Sequence, residues 1–335
     1  MTIIRRLKPF GTFLFFSWTA LAQTSASLAG ADYAKPGPFL VAPGQIMNFF
    51  FRGISSSAGG IARSADAAGV PLPTKLAGLA LSVSQPGLDA SLAVPILSVR
   101  QERECDGDSA ECLLTSIRAQ VPFELAASTT PRLGAQGSKA PDAQLTVEED
   151  GRPSRSFLLR PVSENGHVLT SCDLAADANP ESVCTRAAYH ADGSRVDLDR
   201  PAVRGESIVV YAYGLGQTVP AAKSGEPSAA GLSVMDNPQS PRVFVTVHDQ
   251  FLNVSGSTPR AFLSEPYNLP PARIDFAGLT PGQIGVYQIN VPIPSTFQVP
   301  VPCGPDASIG AVRSNGFLQV TTAQGTENVP ICVWP

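Results

Sequence analysis

Apolar and polar side chains alternate in short runs along this chain, and proline or glycine closes each run within a few residues. In "GVYQINVPIP" (285–294), Tyr287, Ile289 and Val291 alternate with Gln288 and Asn290 before two prolines, Pro292 and Pro294. Such a period of two puts the apolar set on one face of a strand and the amides on the other. A weaker copy, "SIRAQVPFEL", stands at 116–125, about 170 residues earlier.

The same reading gives strands at 45–51, 78–84, 94–100, 116–123, 143–150 and 154–162, and again at 207–214, 242–249, 272–279, 285–292, 316–323 and 327–334. Gly44-Gln45 opens the first set and Gly205-Glu206 the second. The sets share their order but little identity. They predict an all-β protein of two tandem immunoglobulin-like antiparallel β-sandwiches, at 31–162 and 201–335. In this alignment Pro122 and Pro292 are equivalent, and each ends ladder pairing because proline lacks the N–H. Asp150-Gly151, Asp192-Gly193 and Asn315-Gly316 read as hairpin turns, where positive φ favours Asx-Gly, and Asn165-Gly166 has weaker flanks. No stretch sustains a helical period, and "GGIARSADAAG" (59–69) reads as a loop or one turn. Residues 163–200 have no counterpart after the second set and read as a disulfide-tied connector carrying the Asp192-Gly193 hairpin.

The beginning of the chain sets the expected compartment. Arg5, Arg6 and Lys8 precede the apolar "PFGTFLFFSWTALA", and Ala20-Leu21-Ala22 supplies small residues for cleavage, so 1–22 reads as a secretory signal peptide. The alternative, an uncleaved anchor, meets an apolar run of about 13 residues where a spanning helix needs roughly 20. Removing the three positive charges Arg5, Arg6 and Lys8 takes the formal charge from −4 to −7. A mildly acidic surface without a Lys/Arg cluster argues against nucleic acid and anionic membranes as partners. The expected location is secreted or at the cell surface, with the periplasm as an alternative.

The six cysteines form an even set, which in an exported chain implies a disulfide framework. Fifteen pairings exist in principle. The sequential one (Cys105 with Cys112, Cys172 with Cys184, Cys303 with Cys332) keeps each pair within one expected loop or sheet. On the chain-entropy account the last would stabilise by roughly 3 to 4 kcal/mol. Thiolate ligation of zinc is the rival reading, but there is no C-x-x-C, and only His167, His190 and His248 are present.

The stretches "AAYHADGSRVDLDRPAVRGE", "ESIVVYAYGLGQT" and "FAGLTPGQIGVYQINVPIP" carry Tyr211, Gly214, Leu215 and Gly216, then Gly278, Leu279, Pro281, Gly282, Gly285, Tyr287, Gln288, Asn290, Val291 and Pro294. In these positions the chain, over about 185–335, resembles the secreted β-rich C-terminal domain family expanded in acidobacterial (Solibacter-type) proteins. The segment from "APGQIMNFFF" resembles what commonly precedes that domain. The chain departs from the pattern in its cysteines and in the insertion "SGSTPRAFLSEPYNLPP". The resemblance implies a β-rich architecture and export; it implies no activity.

Candidate chemistry is sparse. Gln288 and Asn290, with Tyr211 or Tyr213 nearby and Tyr287 on the strand's other face, could hydrogen-bond a sugar; amides near a strand end also serve neighbouring backbone groups. "GLG" (214–216) and "PGQIG" (281–285) lack phosphate-loop spacing and read as turns. Asp106, Asp108 and Glu111, and separately Asp192, Asp197 and Asp199, are oxygen-rich enough for calcium but lack the spacing of a known loop. Neither G-x-S-x-G nor H-E-x-x-H occurs. Asn253-Val254-Ser255 fits a glycosylation acceptor, a pattern frequent by chance. The resulting expectation is a non-catalytic structural or binding protein without a cofactor. A polysaccharide or another surface protein is the expected partner, and carbohydrate-binding or adhesin-type modules and a secreted hydrolase are the rivals.

Overall fold

The computed structural model describes residues 26–31, 38–57, 59–106, 109–129, 137–174, 184–236, 244–248, 252–255, 258–261, 274–296, 302–306, 311–322 and 325–334. The leader at 1–22, Asp108, most of the 255–271 insertion and the side chains of Cys172, His248 and Asn253 lie outside the described residues.

Two β-sandwiches follow one another. In the first, one sheet runs Ser27–Ala31, Ile46–Arg52, Leu113–Gln120, Ile96–Arg103, Ser64–Asp66. The facing sheet runs Phe39–Val41, Arg152–Pro161, Ala143–Glu149, Leu79–Ser84, Lys75–Leu76, with Leu92–Ala93 also on Leu79–Ser84. Neighbours are antiparallel except Phe39–Val41, which runs parallel to Arg152–Pro161. Alternation sends Met47, Phe49, Phe51, Leu81, Ile117 and Leu145 into one apolar core. The sandwich starts before residue 31, and the stretch read as a loop at 59–69 contributes the edge strand Ser64–Asp66.

In the second sandwich Ser207–Tyr213 and Tyr287–Pro292 pair at the centre of one sheet, with Phe276–Leu279 beyond them. The segment expected to be a connector adds His167–Val168 and Ala188–Tyr189 to the free edge of Ser207–Tyr213. Phe244–His248, Gly316–Thr322 and Gly325–Ile331 form the facing sheet. Ile208, Val210, Ile289, Val291, Leu318 and Val329 fill the core between them. Four further strands, Leu252–Ser255, Thr258–Ala261, Gly304–Asp306 and Ala311–Ser314, form an antiparallel arm.

The register corrects the expected alignment of the two modules. Val121 N–H donates to the Gln45 carbonyl and Ile293 N–H to the Glu206 carbonyl, both at 2.8 Å. Pro122 is therefore the equivalent of Pro294, and Pro292 matches Gln120. A two-residue slip leaves every side chain on its own face, so alternation alone does not reveal it. Pro292 is tolerated within its strand because its nitrogen faces past the end of Phe276–Leu279; Gln120, its equivalent, donates there to the Pro95 carbonyl.

Asp150 and Gly151, at φ 48° and 85°, make the tight hairpin that Asp-Gly favours. Asn315 does not. It sits at a bend between Ala311–Ser314 and Gly316–Thr322, where its amide exchanges two 2.8 Å hydrogen bonds with the backbone of Val333. Cys105–Cys112 and Cys303–Cys332 are disulfides, and the second ties the arm to the end of Gly325–Ile331. Cys184 is disulfide-bonded as well.

The sandwiches share a buried seam. Phe123 leaves the first and enters the second's apolar core. Gln217 Nε2 donates to the Phe123 carbonyl at 2.9 Å, Phe123 N–H to Ser224 Oγ at 2.9 Å, and Gly225 N–H to Gln120 Oε1 at 2.6 Å. Gly285, at φ +64°, approaches so closely that a Cβ would stand 2.9 Å from the Gly44 carbonyl oxygen.

A half-buried ion pair fastens the Asp192-Gly193 hairpin. His190 Nδ1 lies 2.5 Å from Glu206 Oε1, and Nε2 lies 3.0 Å from the Arg200 carbonyl. Both partners accept, so the ring is held as the doubly protonated imidazolium. Burial opposes this charge, but the Glu206 hydrogen bond and charge and the Arg200 carbonyl outweigh it, raising the pKa above the ordinary 6.5.

Replacing Phe123 with Ala should cost about 3 to 5 kcal/mol, and hydrogen exchange should register the loss in Ser207–Tyr213 and Tyr287–Pro292; loosening confined to the first sandwich would contradict the seam. The His190–Glu206 stabilisation should be complete below the unfolded pKa and disappear as pH rises through the higher folded one. Urea midpoints of wild type and Glu206→Gln, compared from about pH 6 to about pH 9, should converge at the alkaline end. A pH-independent gap would remove the imidazolium from the account.

Candidate functional site

Outward residues of the second sandwich's central strands form its most distinctive surface. Pairing places Tyr211 opposite Gln288, Val209 opposite Asn290, and Asn290 opposite Phe276, so these side chains share one face. All five are half-buried. Tyr189, from the added edge strand, brings its ring to 5.3 Å from that of Tyr211 at 54°. Burial pushes the Tyr189 hydroxyl up in pKa, with Arg195 opposing, so it remains a neutral donor.

Gln288 Nε2 donates to Asn290 Oδ1 at 3.3 Å. That bond orients both amides. Among the described residues, Gln288 Oε1 and Asn290 Nδ2 have no further partner, so one acceptor and one donor point outward beside the Tyr211 ring.

The structure brings together only part of the expected set. Tyr211, Gln288 and Asn290 share the accessible face. Tyr213 lies two residues along the same face, but the first sandwich covers it: Arg118 Nη2 donates to its hydroxyl at 2.6 Å, with the guanidinium carbon 5.9 Å from the ring centroid. Burial raises the Tyr213 pKa although Arg118 pulls it down. Tyr287 points inward with no accessible surface, and its hydroxyl donates to the Gly216 carbonyl at 2.6 Å. Desolvation drives its pKa far upward. Its hydroxyl serves the seam and faces no ligand.

Tyr189 and Arg118 were not legible as members of this surface. Tyr189 sits on a two-residue strand with no periodic signal, and Arg118 belongs to the other sandwich. In the second acidic cluster, Asp192 and Asp197 have structural partners. Asp192 Oδ1 accepts from Ser194 and Oδ2 pairs with Arg200, which together hold its carboxyl well below the usual range. Asp197 Oδ1 accepts from the backbone of Asp199 and Arg200. No group of three or more His, Cys, Asp and Glu among the described residues could hold a metal ion.

The other described histidine belongs to a second fastening. Glu327 accepts the Val168 N–H at 2.5 Å and pairs with Arg186 at 2.6 Å and His167 at 3.2 Å. Burial disfavours this carboxylate, yet these partners hold its pKa below the ordinary value. Glu327 thus joins the segment before the second sandwich to its edge strand.

Neither a family model nor a curated protein matches the chain. Among solved structures it is similar to tandem Ig repeats of Dlar, at 10% identity over 88% of this chain and 92% of that one, with a TM-score of 0.17. It is also similar to the C-terminal domain of the Streptococcus agalactiae AgI/II polypeptide BspA, at 7% identity over 88% and 94% of the two chains, with a TM-score of 0.16. Scores of this size add nothing to the architecture that the strand pairing already gives.

Proposed function

We propose that the chain is an exported, non-catalytic binding module that presents the Tyr211, Gln288 and Asn290 face to a polysaccharide. The observation that carries the reading is the oriented amide pair, with one outward acceptor and one outward donor beside an aromatic ring. Adjacent hydroxyls of a sugar both donate and accept, and they match such a pair, while the ring offers an apolar platform. The disulfides, Cys105–Cys112 and Cys303–Cys332 among them, and the stretch at 1–22 read as a leader support export, since disulfides persist in oxidising compartments. The resemblance to a secreted family over about 185–335 agrees with that location. Both described histidines serve as structural fastenings, which supports a non-catalytic role.

A second reading is a surface structural protein, favoured by the seam, which takes up Tyr213, Tyr287 and Gly285.

Glycan-array and polysaccharide pull-down binding with the oxidised chain from residue 23 on separates the two readings. One polymer class should bind, and Gln288→Ala combined with Asn290→Ala should weaken binding by about tenfold or more without changing the thermal midpoint much. A folded protein that binds no glycan, or a double variant that binds as well as wild type, would reject this face as a saccharide site.

A further inference from the structure

We propose that the base of the second sandwich docks a second copy of this chain head to tail, on the loop end of that copy's first sandwich. This surface lies apart from the saccharide face and does not depend on it.

Five hydrogen bonds build one corner, and they occur twice. In the first sandwich Val162 N–H donates to Val41 O, Gly44 N–H to Val121 O, Val121 N–H to Gln45 O, Gln45 N–H to Ala42 O, and Ala42 N–H to Gln45 Oε1. In the second, Trp334 donates to Ala202, Gly205 to Ile293, Ile293 to Glu206, Glu206 to Val203, and Val203 N–H to Glu206 Oε2. The equivalence is residue by residue: Ala42 with Val203, Gly44 with Gly205, Val162 with Trp334.

The two corners differ in cover. The first is the floor of the seam, where Ala42 is fully buried and Gly44 lies under Gly285. Among the described residues the second is bare, and it carries larger apolar groups: Val203 is 56% and Trp334 62% exposed. An apolar pair at the place where the equivalent surface holds a sandwich marks a docking face.

The first sandwich also has the complementary end. The second covers the seam with the turn that follows Ser207–Tyr213, from Gly214 to Gln217. Its equivalent in the first, from Gly53 to Ser56, leads to Ser57, whose N–H and Oγ donate to the Ile61 carbonyl at 2.9 and 2.8 Å, with Gly59 and Gly60 exposed before it. Ile61, the acceptor of both bonds, is 67% exposed. Joining unlike ends of identical copies is a heterologous contact, which repeats into an open chain when the rotation does not close. Ser295 stands where the first corner has the Phe123 plug, so the contact is weaker than the seam and depends on concentration.

Sedimentation velocity on the oxidised chain from residue 23 on, from about 1 to about 200 μM, spans the range of weak interfaces. Average mass should rise past a dimer, and the emission of Trp334, the sole tryptophan in that chain, should move to shorter wavelength as it is covered. Trp334→Ser and Ile61→Ser should each raise the concentration needed by about tenfold or more, as for a central anchor. A mixture of the two variants should regain dimers and stop there, because each supplies one intact end. Monomer mass throughout, association that survives either substitution, or a mixture that stays monomeric would overturn the proposal.

Discussion

A phenol with no access to water must give its proton to an acceptor nearby, and Tyr287 gives its to the Gly216 carbonyl across the end of the second sandwich. That bond fixes the turn after Ser207–Tyr213 against the start of Tyr287–Pro292. Gln217, in the same turn, then reaches the Phe123 carbonyl, and Gly285 meets the Gly44 carbonyl without a side chain between them. The seam rests on this alignment. Were Tyr287 to leave its acceptor, a buried hydroxyl would stand unsatisfied inside the core that also receives Phe123.

The seam explains why the glycines and tyrosines at 211–216 and 285–287 occur in a cluster. Read along the chain, the glycines mark turns and the tyrosines offer contacts for a ligand. In three dimensions their faces separate them: odd positions from Ser207 to Tyr213 look outward, while Tyr287 looks inward because it is paired with the inward-facing Ala212. Tyr211 keeps its access, and Tyr213 loses it to Arg118. One alternating strand therefore serves a surface and a domain junction.

Much of the architecture was legible because a period of two is a local property. The strand sets, their order, the opening Gly44-Gln45 and Gly205-Glu206 corners and the Asp150-Gly151 hairpin follow from short-range patterns. Where the reading missed, the missing information was long-range. The pairing of Val121 with Gln45 and of Ile293 with Glu206 moves the proline match by two residues, a shift invisible to alternation. Asn315 resembles a turn residue, yet its amide pairs with Val333, 18 positions on. Phe276, beside Asn290, and Tyr189, beside Tyr211, come from strands that nothing in "QINVP" specifies.

The two corners also show how a duplicated module can keep its frame while changing its surface. The ring of hydrogen bonds involves backbone groups and one carboxyl or amide oxygen, and Gln45 and Glu206 each supply that oxygen. Either residue therefore preserves the corner. Glu206 does more than Gln45 could, because its other oxygen holds the His190 imidazolium and so attaches the hairpin that brings Tyr189 beside Tyr211. Gln45 instead accepts from Asn165 in the segment between the sandwiches, at 3.2 Å. One substitution at an equivalent site directs the first corner toward its neighbouring module and the second toward its own added edge strand, which leaves Val203 and Trp334 outside the packing that the first corner receives.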